Sequence, residues 1–395
     1  MARRAGDASP WAFALCLVSS SWYATWKYGG LGGLAAWSLV GLASVAALFR
    51  GGVERRLELL PRRRAAWLTA LLLAALAAGV SVAYPIANSG RFGPGSDSDD
   101  ALVLAATELL AGRFPYARAT YLGNPISPLP GSLFLALPFA LLGNVALQNV
   151  FWLGLLAAAL ARALGDPRPA LLLLAALLLL APGVLLHIAT GHDYTANSLF
   201  VLLALWLVER RGGRPGGGGA AAAAAALGLG VALASRPNFL ALLPLLLSRL
   251  AQTAGPRAAA RLGALALLAC AGLVLPFYLH DPGHFAPFHV TRKLAGLSAL
   301  LPGAGLALPA LALALALWLA APRRNADLAA LFRNCALVQA WLVAGGVAVE
   351  SLGAGELELD LASFAEFYVF FGALAFWLRR FGAPSASSRS ATTRA

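Results

Sequence analysis

Five polar residues in a row, Ser96-Asp97-Ser98-Asp99-Asp100, stand where the chain leaves its third apolar run. Three of the 17 acidic residues fall among them. Carboxylates grouped at a membrane rim have three uses. One can take a proton from a hydroxyl as general base, with a second acid holding it in place. A pair can hold a divalent cation through oxygen ligands. One can cap the following helix, whose free amides and dipole favour acids at its N-terminus. Ala101 to Ala111 reads as that helix, with Leu102, Ala106, Leu109 and Leu110 on one face, the pattern of a short amphipathic helix on an interface. Capping uses one or two of the five residues. For a base, Asp99 comes first, with Asp100 and Asp97 as alternates.

Other polar groups stand at the ends of later apolar runs. His192 and Asp193, in Gly191-His192-Asp193-Tyr194, pair an imidazole that titrates near neutrality with a carboxylate; they can shuttle a proton or simply cap the next helix. Arg236, before Pro237 and Asn238, can grip a phosphate through its planar fork, or snorkel to the interface. Arg292 and Lys293 place two cations on the side where the charge bias expects few, and suit a phosphate or a solvated loop equally. Cys16, Cys270 and Cys335 lie far apart inside apolar runs, without disulfide or metal-ligand spacing. The chain shows no nucleotide-cradling glycine loop, no zinc-ligand spacing and no G-x-S-x-G elbow.

The elements that must position these groups are membrane helices. The 395 residues are 60% hydrophobic and 12% charged, where a soluble domain carries about 25% charge. Apolar runs near the ~20 residues that cross a bilayer recur along the chain. The net charge of +13 comes from arginine clusters between those runs, the positive-inside pattern, and not from a nucleic-acid-binding face. With the N-terminus inside, about twelve spans follow. They are Trp11–Tyr28, Leu31–Leu48, Ala66–Ile86, Leu133–Leu160 (broken near Gly143-Asn144), Leu171–Ile188, Leu199–Val208, a helix starting in the alanines before Ala226, Phe239–Leu247, Leu262–Tyr278, Leu297–Leu319, Leu337–Val349 and Phe367–Trp377. The expectation is an all-α, polytopic transmembrane bundle. A basic N-terminal hairpin covers 1–65, a core 66–381 carries a large extracytoplasmic loop at 87–130, and 382–395 is a disordered cytoplasmic tail. Both termini fall on the cytoplasmic side. The excess of arginine and alanine over lysine points to a GC-rich bacterial genome, and so to a bacterial inner membrane.

Four landmarks appear in order. Asp99-Asp100 is followed by Leu109-Leu110-Ala111-Gly112 and Pro115-Tyr116; then come Gly191 to Asn197, Ala234-Ser235-Arg236-Pro237-Asn238, and Pro276-Phe277 with Asp281-Pro282 and Phe285. From about Ala66 to Leu300 this series resembles the GT-C membrane glycosyltransferases, especially the bacterial family 87 type that includes polyprenol-phosphate-mannose-dependent mannosyltransferases. The chain departs from that pattern at His192 (for Gln), at Arg236 (for Lys), in having an acid cluster for one Asp, and in its first two spans. The resemblance implies inverting transfer of a sugar from a polyprenyl-phosphate donor to a glycan or glycolipid acceptor on the extracytoplasmic face. In that setting an Asp of the cluster is the base. Arg236, Arg292 or Lys293 steadies the phosphate, and His192, Asp193, Asn238 and Tyr116 line the pocket. The pattern makes no cofactor certain, and the acid pair could hold a divalent cation. Two other expectations compete: a transporter or lipid flippase, and a non-catalytic subunit of an envelope-assembly complex.

Overall fold

The computed structural model describes residues 10–50, 52–91, 97–214, 219–288 and 296–382. Every regular element among them is helical, as runs of leucine and alanine favour; the single β-bridge pairs Ala119 with Pro125. The tail expected from 383 onward, Ser96, and the pair Arg292 and Lys293 lie outside the described residues.

The chain opens with α1 (Pro10–Ser19) and α2 (Trp22–Arg50). Within α2 the backbone leaves helical geometry at Gly30, at φ 57 and ψ −156, a conformation only glycine takes cheaply. The chain doubles back there. The Trp37 indole N–H donates to Val18 O at 3.1 Å, Gly41 packs on Val18, and the Phe13 and Phe49 rings meet at 5.8 Å. Next come α3 (Val53–Glu58), α4 (Arg62–Ala87), α5 (Ser98–Leu110), α6 (Pro130–Leu141), α7 (Leu147–Leu164), α8 (Pro167–Leu180), α9 (Pro182–Ala189) and α10 (Tyr194–Gly212). The rest are α11 (Ala220–Leu233), the 3-10 turn Pro237–Leu242, α12 (Leu243–Ala254), α13 (Pro256–His280), α14 (Ala304–Leu319), α15 (Leu328–Ala354), the 3-10 turn Asp360–Ala365 and α16 (Glu366–Phe381).

Among the described residues six helices are long and apolar enough to cross a membrane, or seven if α8 and α9, bent by 84° at Ala181, form one span. Against the twelve spans expected, several apolar runs thus form shorter helices. Two elements differ in detail from the sequence reading, and a third breaks where it was expected, near Gly143-Asn144. Helix α5 starts at Ser98, and Leu110 is 56% exposed while Ala105 joins Leu102 and Ala106 on the buried face. The run Leu133–Leu160 splits at Gly143, whose φ of 73 ends one helix before the next begins. Ser132 in α6 and Asn149 in α7 both reach the His192–Asp193 turn, so α6 leaves and returns at one level of the bundle. The run 297–319 is interrupted after Pro302 by Gly303 at φ 81, and α14 starts at Ala304.

Packing follows membrane rules. Close approach needs small residues: a Cβ on Gly230 of α11 would strike Ala266 O and the Ala269 side chain of α13. Leu71, Leu268, Leu279 and Leu306 remain exposed, as lipid-facing side chains do. The arginine-bearing loops meet at one end, here the basic end. Arg168 Nη1 donates to Glu58 O at 2.7 Å, Arg380 pairs with Glu54 at 2.8 Å, and Arg249 Nη1 donates to Ala326 O at 2.6 Å. The opposite, acidic end holds the candidate residues.

Candidate active site

Helix phase sorts the three aspartates. Positions 97 and 100 are three apart and share a face, whereas 99 lies about 100° away, in phase with Leu102 and Ala106. Asp97 accepts from Thr120 Oγ1 at 2.6 Å and Asn124 Nδ2 at 2.8 Å, and Asp100 accepts from the Tyr121 amide at 2.9 Å. Both therefore pin the loop after α5. Asp97 stands at the N-cap but makes no side-chain cap. Asp99 turns inward and is 5% exposed. Its Oδ2 accepts from the Tyr84 hydroxyl at 2.9 Å and Asn88 Nδ2 at 2.8 Å, two donors one turn apart at the end of α4. Its Oδ1 is buried with no hydrogen-bond partner. Burial raises the Asp99 carboxyl above the usual carboxylate range, although the Tyr84 hydroxyl and the first-turn amides of Asp99 and Asp100 draw it partly back.

The His192 turn lies against Asp99. Gly191 sits at φ 77, and a Cβ there would fall 2.6 Å from the Tyr84 ring and 2.9 Å from Asp99 Cβ, so only glycine permits the approach. Two residues on, Asp193 is fully buried. Arg236 Nη2 donates to both its oxygens at 2.7 Å, and Asn197 Nδ2 donates to Oδ2 at 2.7 Å. Ser132 on α6 bridges to Asn197 Oδ1 at 3.2 Å. Arg236 Nε is buried without a partner, as is the neighbouring Ser235 hydroxyl. The guanidinium lies 5.6 Å over the Tyr194 ring, and the Tyr194 side chain hydrogen-bonds Ser98 at the start of α5. Asp99, His192, Asp193 and Arg236, four residues spread over 138 positions (236 − 99 + 1), thus come together at the acidic end.

A second buried pair backs this cluster. His187 Nδ1 meets Glu366 Oε1 at 2.6 Å, and the Thr195 hydroxyl donates to Glu366 Oε2. The His187 ring stacks on His192 at 4.4 Å. Burial, helped by the Arg236 and Lys27 charges, pushes the His192 imidazole well below its ordinary value, so it is neutral at pH 7. His192 Nδ1 lies 2.8 Å from Thr190 Oγ1. Asn149 fixes the turn by donating to His192 O at 3.0 Å and accepting from the Ala196 amide at 3.0 Å.

Two expected pocket residues have other surroundings. Tyr116 is buried among Phe114, Phe277 and Phe285 and donates to Pro128 O at 3.1 Å, which anchors the entry to α6. Asn238 exchanges hydrogen bonds with Gln339 on α15 at 2.6 and 3.1 Å. Among the described residues no group of three or more His, Cys, Asp or Glu is gathered as a metal site; the acids of the cluster point apart.

Sequence reasoning singled out none of Tyr84, Asn88, His187 and Glu366. The i, i+4 spacing of Tyr84 and Asn88 at a span end was a usable signal. His187 and Glu366, 179 residues apart, gave none. No protein-family model, no curated protein and no solved structure matches this chain.

Proposed function

We propose that this chain is a membrane glycosyltransferase of the GT-C type, working at the acidic end with Asp99 as general base. The donor is a polyprenyl-phosphate sugar and the acceptor a hydroxyl of a glycan or glycolipid. The observation that carries this reading is the split environment of Asp99: Oδ2 is held by Tyr84 and Asn88, while Oδ1 is buried and unpaired. A carboxylate raised by burial is the stronger base, and an unpaired oxygen is where an acceptor hydroxyl can bind. In the reaction the acceptor O–H proton passes to Oδ1 and the acceptor oxygen attacks the anomeric carbon. The bond to the phosphate oxygen breaks, with its electron pair leaving on the polyprenyl phosphate. Arg236, with its unpartnered Nε, stands ready to meet that charge.

The segregation of arginine loops supports a cytoplasmic basic end and an extracytoplasmic acidic end in a bacterial membrane. The shorter apolar helices, taken with the reversal at Gly30, supply the remaining legs of a twelve-span bundle with both termini inside.

The bent α8–α9 pair and the buried charges favour one rival, a transporter, since discontinuous helices frame transporter sites. The test is purified protein in proteoliposomes with a panel of polyprenyl-phosphate sugars and glycan acceptors, wild type beside Asp99→Asn. Glycosidic product from wild type alone supports the transferase. Movement of a lipid or solute across the bilayer without product would overturn it in favour of the transporter.

A further inference from the structure

The loop 117–125 is a small hairpin fastened to one face of α5. Ala119 and Pro125 pair in a β-bridge, and the Thr120 amide donates to Asn124 O and the Gly123 amide to Thr120 O, each at 2.8 Å. Gly123 takes φ 78 at the turn. Asp97, Asp100 and Glu108 fall within about 80° of one another round the helix. All three hold the hairpin: Asp97 through Thr120 and Asn124, Asp100 through the Tyr121 amide, and Glu108 through Arg118 at 3.4 Å. Yet of the nine residues from 117 to 125 only Thr120 is buried. Fixing the backbone of each costs about 1–2 kcal/mol in entropy, and so little burial returns little of it. A segment secured by three acids against that cost is held for what it presents.

Its tip presents Tyr121, 58% exposed, and Leu122, 44% exposed. The Tyr121 amide is bound at 2.9 Å by Asp100, the residue next to Asp99, so the tip stands beside the candidate base. A pyranose ring has a face of C–H groups and a rim of hydroxyls. An exposed phenol ring receives the first, and neighbouring carboxylates accept hydrogen bonds from the second. The same carboxylates repel an anionic lipid surface, which sets the tip apart from a membrane anchor. We propose that Tyr121 stacks on a pyranose ring of the acceptor, and that the hairpin 117–125 is fixed on α5 to hold that ring beside Asp99. Tyr121 is then a binding residue, and Asp97 and Asp100 position it. This rests on the glycosyltransferase reading and narrows its acceptor to a sugar.

The experiment measures binding of methyl α-mannopyranoside, methyl α-glucopyranoside and methyl β-galactopyranoside to the full chain in nanodiscs by saturation-transfer NMR. Wild type should bind at least one, with the strongest transfer to its ring C–H protons. Tyr121→Phe should keep that affinity, and Tyr121→Ala should weaken it about tenfold, or about 1.4 kcal/mol. Tyr121 is exposed, and the tethers from Thr120, Asn124 and the backbone do not use its side chain, so both variants should fold. No binding by wild type, or equal binding by Tyr121→Ala, overturns the proposal. A fluorescent label on Leu122→Cys should escape quenching by brominated lipid; quenching would make the tip a membrane anchor and overturn it too. Kinetics with the bound pyranoside as acceptor separate the two ideas. Tyr121→Ala should raise the acceptor KM about tenfold at unchanged kcat and donor KM, and Asp100→Asn should raise it less. Transfer with an unaltered acceptor KM in Tyr121→Ala leaves the function standing and the stacking role refuted. Pyranoside binding that depends on Tyr121, without any transfer by wild type, does the reverse.

Discussion

The two ends of the bundle use the same residue types in opposite ways. At the basic end, ion pairs sit in partial contact with water: the side chains of Arg380 and Glu54 are 29% and 20% exposed, and those of Arg168 and Asp166 are 19% each. These pairs tie loops together and leave no buried polar atom unpaired among the described residues. At the acidic end Asp193, Glu366 and His187 are almost fully buried. The buried atoms without partners gather on this side: Asp99 Oδ1, Gln148 Nε2, Ser235 Oγ, Arg236 Nε and Glu350 Oε2, with the Trp22 and Trp152 indoles below them. Folded proteins seldom leave such atoms unpaired without a use for them. The basic end is built as a fastening, and the acidic end as a place that something else completes.

The sharpest way to break that contrast is Asp99→Asn. Transfer should fall about 10²–10⁴-fold, the usual worth of a general base, while the fold persists, because an amide oxygen can still accept from Tyr84 and Asn88. An active Asp99→Asn would remove the base from this position. Breaking the buried pair by Asp193→Ala should cost about 3–5 kcal/mol, since it strands Arg236. The same surgery at the basic end, Glu54→Ala, should cost about 1 kcal/mol or less. Thermal unfolding of both in one detergent compares them, and equal losses would dissolve the distinction.

Acidity sharpens it further. The folded Asp99 carboxyl is raised above its unfolded value, so it favours the folded state at low pH, and that contribution fades as pH rises through the folded pKa. Asp99→Asn should therefore unfold at a higher temperature than wild type at neutral pH, with the gap closing in acid. Wild-type transfer should show an acid limb above the ordinary carboxylate range, and Tyr84→Phe, which removes a donor to the anion, should move the limb higher. A limb at the ordinary carboxylate value would contradict this. The smallest effects belong to Asp97→Asn and Asp100→Asn. Each loosens the 117–125 loop by a hydrogen bond or two, and steady-state kinetics should show losses of about tenfold or less.

Much of the site could be read in part from sequence because its residues interrupt apolar runs. A carboxylate or guanidinium at such a position is conspicuous, and Asp99, His192, Asp193 and Arg236 were candidates on that ground alone. The order of preference among the acids had no such basis. It depends on where α5 begins: a start at Ser98 puts Asp99 in phase with Leu102 and Ala106, and sends Asp97 and Asp100 toward Thr120 and Tyr121. The phosphate role of Arg236 and the pocket-lining role of Asn238 rest on position along the chain, which says nothing of the partners each side chain has in the fold. The structure gives Arg236 to Asp193 and Asn238 to Gln339, partners 43 and 101 residues away.

The sequence by itself determined the helical membrane character and the sorting of charge to two ends. Both follow from local properties, hydropathy summed over a run and the cost of moving arginine across lipid. Only the tertiary structure decided which polar groups meet. Glu366 reaches His187 across 179 positions, and Gly191 lets a turn close on Asp99, contacts that depend on how helices cross and rotate. Helix rotation is set by small residues and close backbone approach at interfaces, such as Gly230 against Ala266, and these carry no hydropathy signal.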